Sequence, residues 1–294
     1  MIRYSVTRQQ LDDLIEAEKP GWLANAAQRT ETFRQQGFYE EASSIWSQIK
    51  AVYMRLQGDG KCAYCEREME SVENGKVEQD VEHFRPKGNI KAWQPSQDLL
   101  NQGIVLSNPP AALKGYYLLP YHPFNYSAAC KPCNSTLKKD YFPVAGNYDV
   151  DADDPESLNG EQPYLIYPIG EIDDDPEMLI DFHGTSPRPV VPNGHNRHRA
   201  LVTIEFFELD DPDSRKNLYR DRALLIMALY SLLEKTTVGT AAEKATAVAN
   251  VENFLKPQLR HLNCARSFKR LFEADPVEAR AVRDSAVALM VSIS

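Results

Sequence analysis

No apolar run in this 294-residue chain approaches the roughly 18 residues that a membrane-crossing helix needs. Its opening stretch, MIRYSVTRQQLDDLIEAEK, is too polar and acidic for a secretory leader, so a cytoplasmic protein without a membrane is expected. Basic residues are in deficit: 33 Lys and Arg against 42 Asp and Glu leave a net charge of -9, which counts at first against a polyanionic partner. Glycine-rich phosphate loops are missing as well. No G-x-x-x-x-G-K-[ST] run occurs, so any ATP dependence has to come from another chain. Internal repeats and low-complexity tracts are also absent. Aromatic residues are not scarce: 14 Tyr, 11 Phe and 3 Trp, with 43% hydrophobic residues, exclude a disordered chain.

The acidity is local. Residues 149–177 hold eleven carboxylates and no Lys or Arg, leaving 33 basic against 31 acidic residues elsewhere. Local patches decide encounters with phosphate more than net charge does, so nucleic acid stays open as a partner.

Four segments follow from the patterning. Residues 1–58 read as helical: Thr7 caps a first helix through Lys19, Pro20 stops it, and residues 24–36 and 38–56 continue. In the last of these, Phe38, Ala42, Ile45, Ile49, Val52 and Leu56 recur at helical spacing. Residues 59–145 turn to Gly, Pro, Cys and aromatics. A polar hairpin around Glu73-Asn74-Gly75-Lys76 precedes a strand over 77–82, and 116–119 is a second strand candidate. Residues 146–212 form an acidic, turn-rich extension with a short strand at 164–167. Residues 213–294 are helical again, with a Leu218, Leu225, Leu229, Leu232 stripe and further helices at 241–255 and 276–291.

Four of the five cysteines fall in two C-x-x-C pairs, Cys62/Cys65 and Cys130/Cys133. Disulfides are disfavoured in a cytosolic chain, and two such knuckles are the thiolate set of a tetrahedral structural zinc. The 64 residues between the pairs exceed the usual zinc-module spacing, so an insertion must loop out between them. Cys264 reads as a core thiol on an amphipathic helix.

Between and beside the knuckles lies a second set of groups: Asp80, Glu82, His83, Arg85, Lys87, Asn125 and Asn134. A neutral imidazole can take a proton from water, and a neighbouring carboxylate can hold a hard divalent cation. Alternate strand side chains face opposite ways, so Glu82 and His83 converge only where the strand ends or bends, as Pro86 suggests. Asp80 reads either as a supporting carboxylate or as a plain strand residue. Arg85, Lys87, Lys91, Lys131, Lys138 and Lys139 cluster around the site, with Arg85, Lys87 and Lys138 the foremost candidates for phosphate contact. His183, His195 and His198, in or near PRPVVPNGHNRHR, read as surface loop, and the acidic stretch as solvated turns.

The pattern CAYC…EHFRPK…FNYSAACKPCN…K resembles the HNH nucleases of the ββα-metal superfamily. EHFRPKG, YYLLPYHPFN, CNSTLKKDYFP and QPYLIYP with a following DDPE resemble, more narrowly, the PtuB-type HNH nucleases of Septu and retron-associated antiphage systems, over roughly 62–222. The resemblance implies an α+β, mainly helical chain with a small zinc-stapled ββα-metal core embedded between helical segments. It implies His83 as the base that activates water, Asn125 as the residue that positions it, and Glu82 and Asn134 as ligands of a catalytic Mg²⁺ or Mn²⁺. Cleavage of DNA phosphodiesters is then expected, within an antiphage system that pairs the nuclease with an ATPase. RNA, tRNA especially, is the alternative substrate for the same site, and a non-catalytic zinc-stapled adaptor the alternative class. No base-reading helix is apparent, and self-association is left open. The chain departs from the family at His122-Pro123-Phe124, where an aromatic-rich strand is usual before the Asn.

Overall fold

The computed structural model describes residues 1–75 and 79–292, and for Gln79 the backbone alone. The strand expected at 77–82 therefore lies partly outside the described residues, as does the end of the polar hairpin. The fold is α+β and mainly helical, with two small antiparallel hairpins and a buried four-cysteine cluster. No described helix is long and apolar enough to cross a membrane.

The amino-terminal elements are α1 (Arg8–Glu18), α2 (Trp22–Gln36) and α3 (Lys50–Leu56). The Thr7 hydroxyl accepts from the Gln10 N–H while Gln10 returns a bond to the Thr7 N–H, the reciprocal cap that starts α1. The helix expected over 38–56 forms only in its second half, after a 3-10 turn at Trp46–Ile49. Side chains take the backbone groups a helix would have used. Trp22 Nε1 donates to Ile45 O at 3.0 Å, and Arg29 donates to Ser43 O at 2.6 Å.

The central hairpin pairs β1 (Gln79–His83) with β2 (Tyr126–Cys130), Glu82 facing Ser127 and His83 facing Tyr126. The strand expected at 116–119 is instead a buried turn, closed by Leu119 N–H on Tyr116 O at 3.0 Å. The strand expected at 164–167 is irregular. Thr203 and Arg199 donate to Tyr164 O and Leu165 O, and Asp173 accepts from Tyr167 N–H. Apolar runs thus mark burial at both places, but backbone turn bonds such as Tyr116 N–H to Pro86 O serve 116–119, and side chains serve 164–167.

Beyond them, β3 (Ile180–His183) pairs with β4 (Ser186–Pro189), followed by α4 (Gly194–Phe206), α5 (Lys216–Thr237), α6 (Ala241–Phe254), α7 (Leu262–Ala274) and α8 (Pro276–Ser292). His195 and His198 accordingly lie in the first turns of α4, not in a loop. The acidic extension is not all solvated either. Asp173 and Asp174 hold the buried Arg199 at 2.6 and 3.0 Å, and Glu161 is buried. Cys264 is a buried core thiol on α7, donating to Gly184 O at 3.4 Å.

The amino-terminal segment clamps onto the hairpin, and the chain beyond it onto residues 61–64 at the first cysteine pair. Tyr53 of α3 donates to Pro123 O at 2.6 Å, and the Gln57 amide exchanges bonds with Ala128 N–H and O, each at 2.8 Å. From the other side Tyr64 stacks on Phe207 at 4.1 Å, and Lys61 Nζ donates to Leu259 O at 3.0 Å.

His261, just before α7, is 2% exposed, and burial followed by the nearby Arg222 holds its imidazole down to about 3, against Glu66. The unfolded chain binds a proton near 6.5 where the folded one does not. His261 thus leaves stability intact above that value and subtracts from it as pH falls toward 3. About 2 kcal/mol should be lost by pH 5. Thermal melts at pH 7.5 and pH 5 check this: the drop should shrink in His261→Asn, and an unchanged drop would remove the assignment.

Candidate functional site

Two knuckles bring the cysteines together. Cys62 and Cys65 flank a turn in which Glu66 N–H bonds Cys62 O, Cys62 N–H bonds Arg67 O and Glu66 takes φ +57°. Ala63 N–H bonds Ala128 O at 3.0 Å, which sets this turn beside β2 just before it ends at Cys130. Cys133 follows in a π-helical turn over Pro132–Lys138. All four are buried, with their sulfurs within 4.8 Å of one another. Cys65 Sγ and Cys130 Sγ lie 3.8 Å apart, close to the tetrahedral edge that Zn–S bonds of about 2.3 Å require. The cluster therefore fits zinc. Two N–H donors suit the excess negative charge of such a centre: Cys130 N–H to Cys62 Sγ and Arg215 Nη2 to Cys133 Sγ, each at 3.5 Å. Arg215 lies 82 residues beyond Cys133 and carried no local signal in the sequence.

His83 ends β1 and is 8% exposed. Its ring meets Trp46 edge-on at 4.8 Å and Tyr126 at 5.1 Å. Burial, then Lys87, then Lys138 hold the imidazole well below its ordinary value, so it is neutral near pH 7. Nε2 faces Pro120 O at 3.2 Å. A carbonyl only accepts, so Nε2 carries the proton and Nδ1 keeps the lone pair. Trp46 lies within the segment expected to be helical but off its apolar stripe, with nothing in the sequence to link it to a histidine 37 residues on.

Asn125 clamps the chain just after His83. Its Oδ1 accepts from Arg85 N–H at 2.7 Å, and its Nδ2 donates to Arg85 O and Leu119 O at 3.1 and 3.0 Å. Pro123 does not spoil this loop: it opens the 3-10 turn Pro123–Asn125, with His122 Nδ1 capping Phe124 N–H. Asn125→Ala would leave the N–H and O of Arg85 without these partners, while Leu119 O keeps only His122 N–H at 3.2 Å. It should destabilise the chain by about 2–4 kcal/mol, read by denaturant unfolding, and a loss under 0.5 kcal/mol would contradict the clamp.

Glu82 lies on the opposite strand face from His83, and its side chain is 4% exposed. Burial, partly offset by Lys138 and Lys87, pushes its carboxyl up to about 7. Lys138 Nζ pairs with Oε1 at 3.2 Å without hydrogen-bonding geometry, so that buried oxygen accepts no hydrogen bond among the described residues. Asn134 does not bond Glu82: its Nδ2 donates to Asp80 Oδ2 at 2.9 Å. Asp80 also accepts from Ser135 Oγ at 3.0 Å and Lys131 Nζ at 2.7 Å, which makes it the anchor of the π-helical turn rather than a plain strand residue. That bond turns the Asn134 amide so that Oδ1 faces away from Asp80. Carboxylate and amide oxygens are hard donors, the kind a small divalent cation takes, and at Glu82 the Lys138 ammonium holds the neighbouring position.

The three expected phosphate contacts fare differently from a surface patch. Arg85 is buried on Glu161 at 3.3 Å among Phe84, Tyr116 and Phe142. Lys138 is fully buried, beside Glu82, and donates to His83 O at 3.4 Å. Both are turned inward, out of reach of a phosphate at the surface. Lys87 is half-buried with Nζ 4.6 Å from the Trp46 ring centre. Glu161, the partner of Arg85, stands in the sequence only as one of eleven acidic residues between 149 and 177.

The chain is similar to the Septu protein PtuB. That protein, from Bacillus mycoides (strain KBAB4), is 34% identical over 127 residues, which span 43% of this chain and 36% of the relative. The match thus covers little more than a third of the relative's length. No family model matches the chain, and no solved structure matches it.

Proposed function

We propose that this chain is a metal-dependent HNH-type endonuclease that hydrolyses DNA phosphodiester bonds, the nuclease of a Septu-type antiphage system working with an ATPase partner in the cytoplasm. The observation that carries the chemistry is His83, held neutral with its proton on Nε2 and its lone pair on Nδ1. Likeness to PtuB supports the defence context. In this reading His83 takes the proton of the attacking water at Nδ1 while the Pro120 carbonyl holds Nε2–H. Asn125 keeps the backbone beyond His83 in place. Glu82 and Asn134 would hold the Mg²⁺ or Mn²⁺, and Asp80 orients Asn134. The cation, when bound, neutralises charge on the reacting phosphate. Residues 59–145 carry the chemistry, 1–58 and 213–294 are supporting helical segments, and 146–212 is the acidic extension that lends Glu161 to Arg85.

Supercoiled plasmid and labelled RNA, incubated with the purified zinc-loaded chain in Mg²⁺ or Mn²⁺ with and without the ATPase, test this reading. Nicked or linear plasmid is expected. Cleavage of RNA alone would move the substrate to tRNA-like molecules. No cleavage under any condition would sink the enzyme reading in favour of an adaptor.

A further inference from the structure

A cavity of about 1060 Å³ lies where the two zinc knuckles meet the start of α5. Six basic residues line it against three acidic ones, in a chain that is acidic as a whole. Three of the six are already engaged. Arg215 is buried on Cys133, Lys131 pairs with Asp80, and Arg260 lies 3.5 Å from Glu68. The other three, Arg67, Lys216 and Arg220, are exposed and have no ion pair or side-chain hydrogen bond among the described residues.

We infer that this groove holds the phosphate backbone of the nucleic acid, with Arg67, Lys216 and Arg220 as its contacts. Arg67 follows the first knuckle and Lys131 lies within the second, so the zinc cluster sets their spacing. Lys216 and Arg220 are four residues apart on one helix face, which aims both charges the same way. Unpaired cations converging on one concavity meet a ligand bearing several negative charges in a row. The groove has a mainly polar and basic lining, with Met69, Pro132 and Leu218 its apolar members, which suits a ligand recognised chiefly by its charge. The first turn of α5 also borders it with no side-chain cap, adding backbone N–H groups. The groove reaches the candidate site through Lys131, because Asp80 holds Lys131 and Asn134 at once. What the groove serves rests on the nuclease reading; what it binds does not.

The test is fluorescence anisotropy with a labelled 30-base-pair duplex and its single strand, using the full zinc-loaded chain without Mg²⁺ at 50–200 mM KCl. In Arg67→Ala/Lys216→Ala/Arg220→Ala, affinity at 100 mM KCl should fall at least tenfold. The slope of log affinity against log salt should shrink by about 2–3 for the duplex. Zinc content should stay unchanged, and Lys235→Ala/Lys256→Ala, which removes two cations elsewhere, should bind like the parent. Equal binding by the triple variant overturns the inference, and so does an equal loss in the control pair. A parent that prefers polyglutamate or ATP to either oligonucleotide overturns it too. Plasmid cutting is scored separately: cutting by the parent with binding unchanged in the triple variant sinks the groove alone, and groove-dependent binding without cutting sinks the nuclease alone.

Discussion

Replacing His83 by Ala should lower metal-dependent plasmid cleavage by about 10²–10⁴-fold while zinc content stays at the wild-type level. The size of the effect follows from what the side chain does: it is the imidazole that ends β1 against Trp46 and Tyr126, with its proton held at Nε2 by the Pro120 carbonyl. The nearest ring in sequence, His122, faces Arg8 at 3.3 Å and caps Phe124, so it is committed elsewhere. Removing the His83 ring opens space against Trp46 and Tyr126, which should cost some stability. Circular dichroism and zinc content at the assay temperature therefore accompany the rate measurement, and a folded, zinc-loaded, inactive variant is the expected outcome. Cleavage at the wild-type rate would remove His83 as the base.

The second large effect concerns the metal. The purified chain is expected to carry one zinc, and Cys62→Ser or Cys133→Ser should abolish its retention and the cooperative thermal transition together. Zinc binding to small four-ligand modules is worth about 10–16 kcal/mol, comparable to the whole stability of an ordinary domain. The lever is long here because the knuckles join distant parts of the chain. Ala63 bonds Ala128, Gln57 of the amino-terminal segment bonds the same residue, and Arg215 brings α5 onto Cys133. Cys264→Ser gives the contrast: a buried thiol outside the cluster should cost about 1–2 kcal/mol and leave zinc at one per chain. If Cys62→Ser keeps both its zinc and its melting temperature, the cluster does not hold a structural metal.

Several features were legible because their causes are local. A hydroxyl three residues before an amide starts α1, and helical spacing of leucines marks α5. The three-residue reach of C-x-x-C makes a knuckle whatever surrounds it. The helix expected over 38–56 and the strands expected at 116–119 and 164–167 misread the same signal. Apolar spacing reports that a segment is buried, but whether its backbone is satisfied by itself, by a neighbour or by side chains such as Trp22, Arg199 and Thr203 depends on what packs against it.

The charges show the division most clearly. The sequence by itself determined which chemistry the chain carries: two thiolate pairs, one histidine after a carboxylate, two asparagines nine residues apart and a stretch of concentrated acid. Only the tertiary structure decided where each charge faces. Arg85 and Lys138 turn inward to Glu161 and Glu82, because a buried carboxylate costs several kcal/mol unless a cation lies beside it. Arg67, Lys216 and Arg220 are left exposed at the knuckles, because two cysteine pairs 64 residues apart and a helix beyond them meet only when the chain folds.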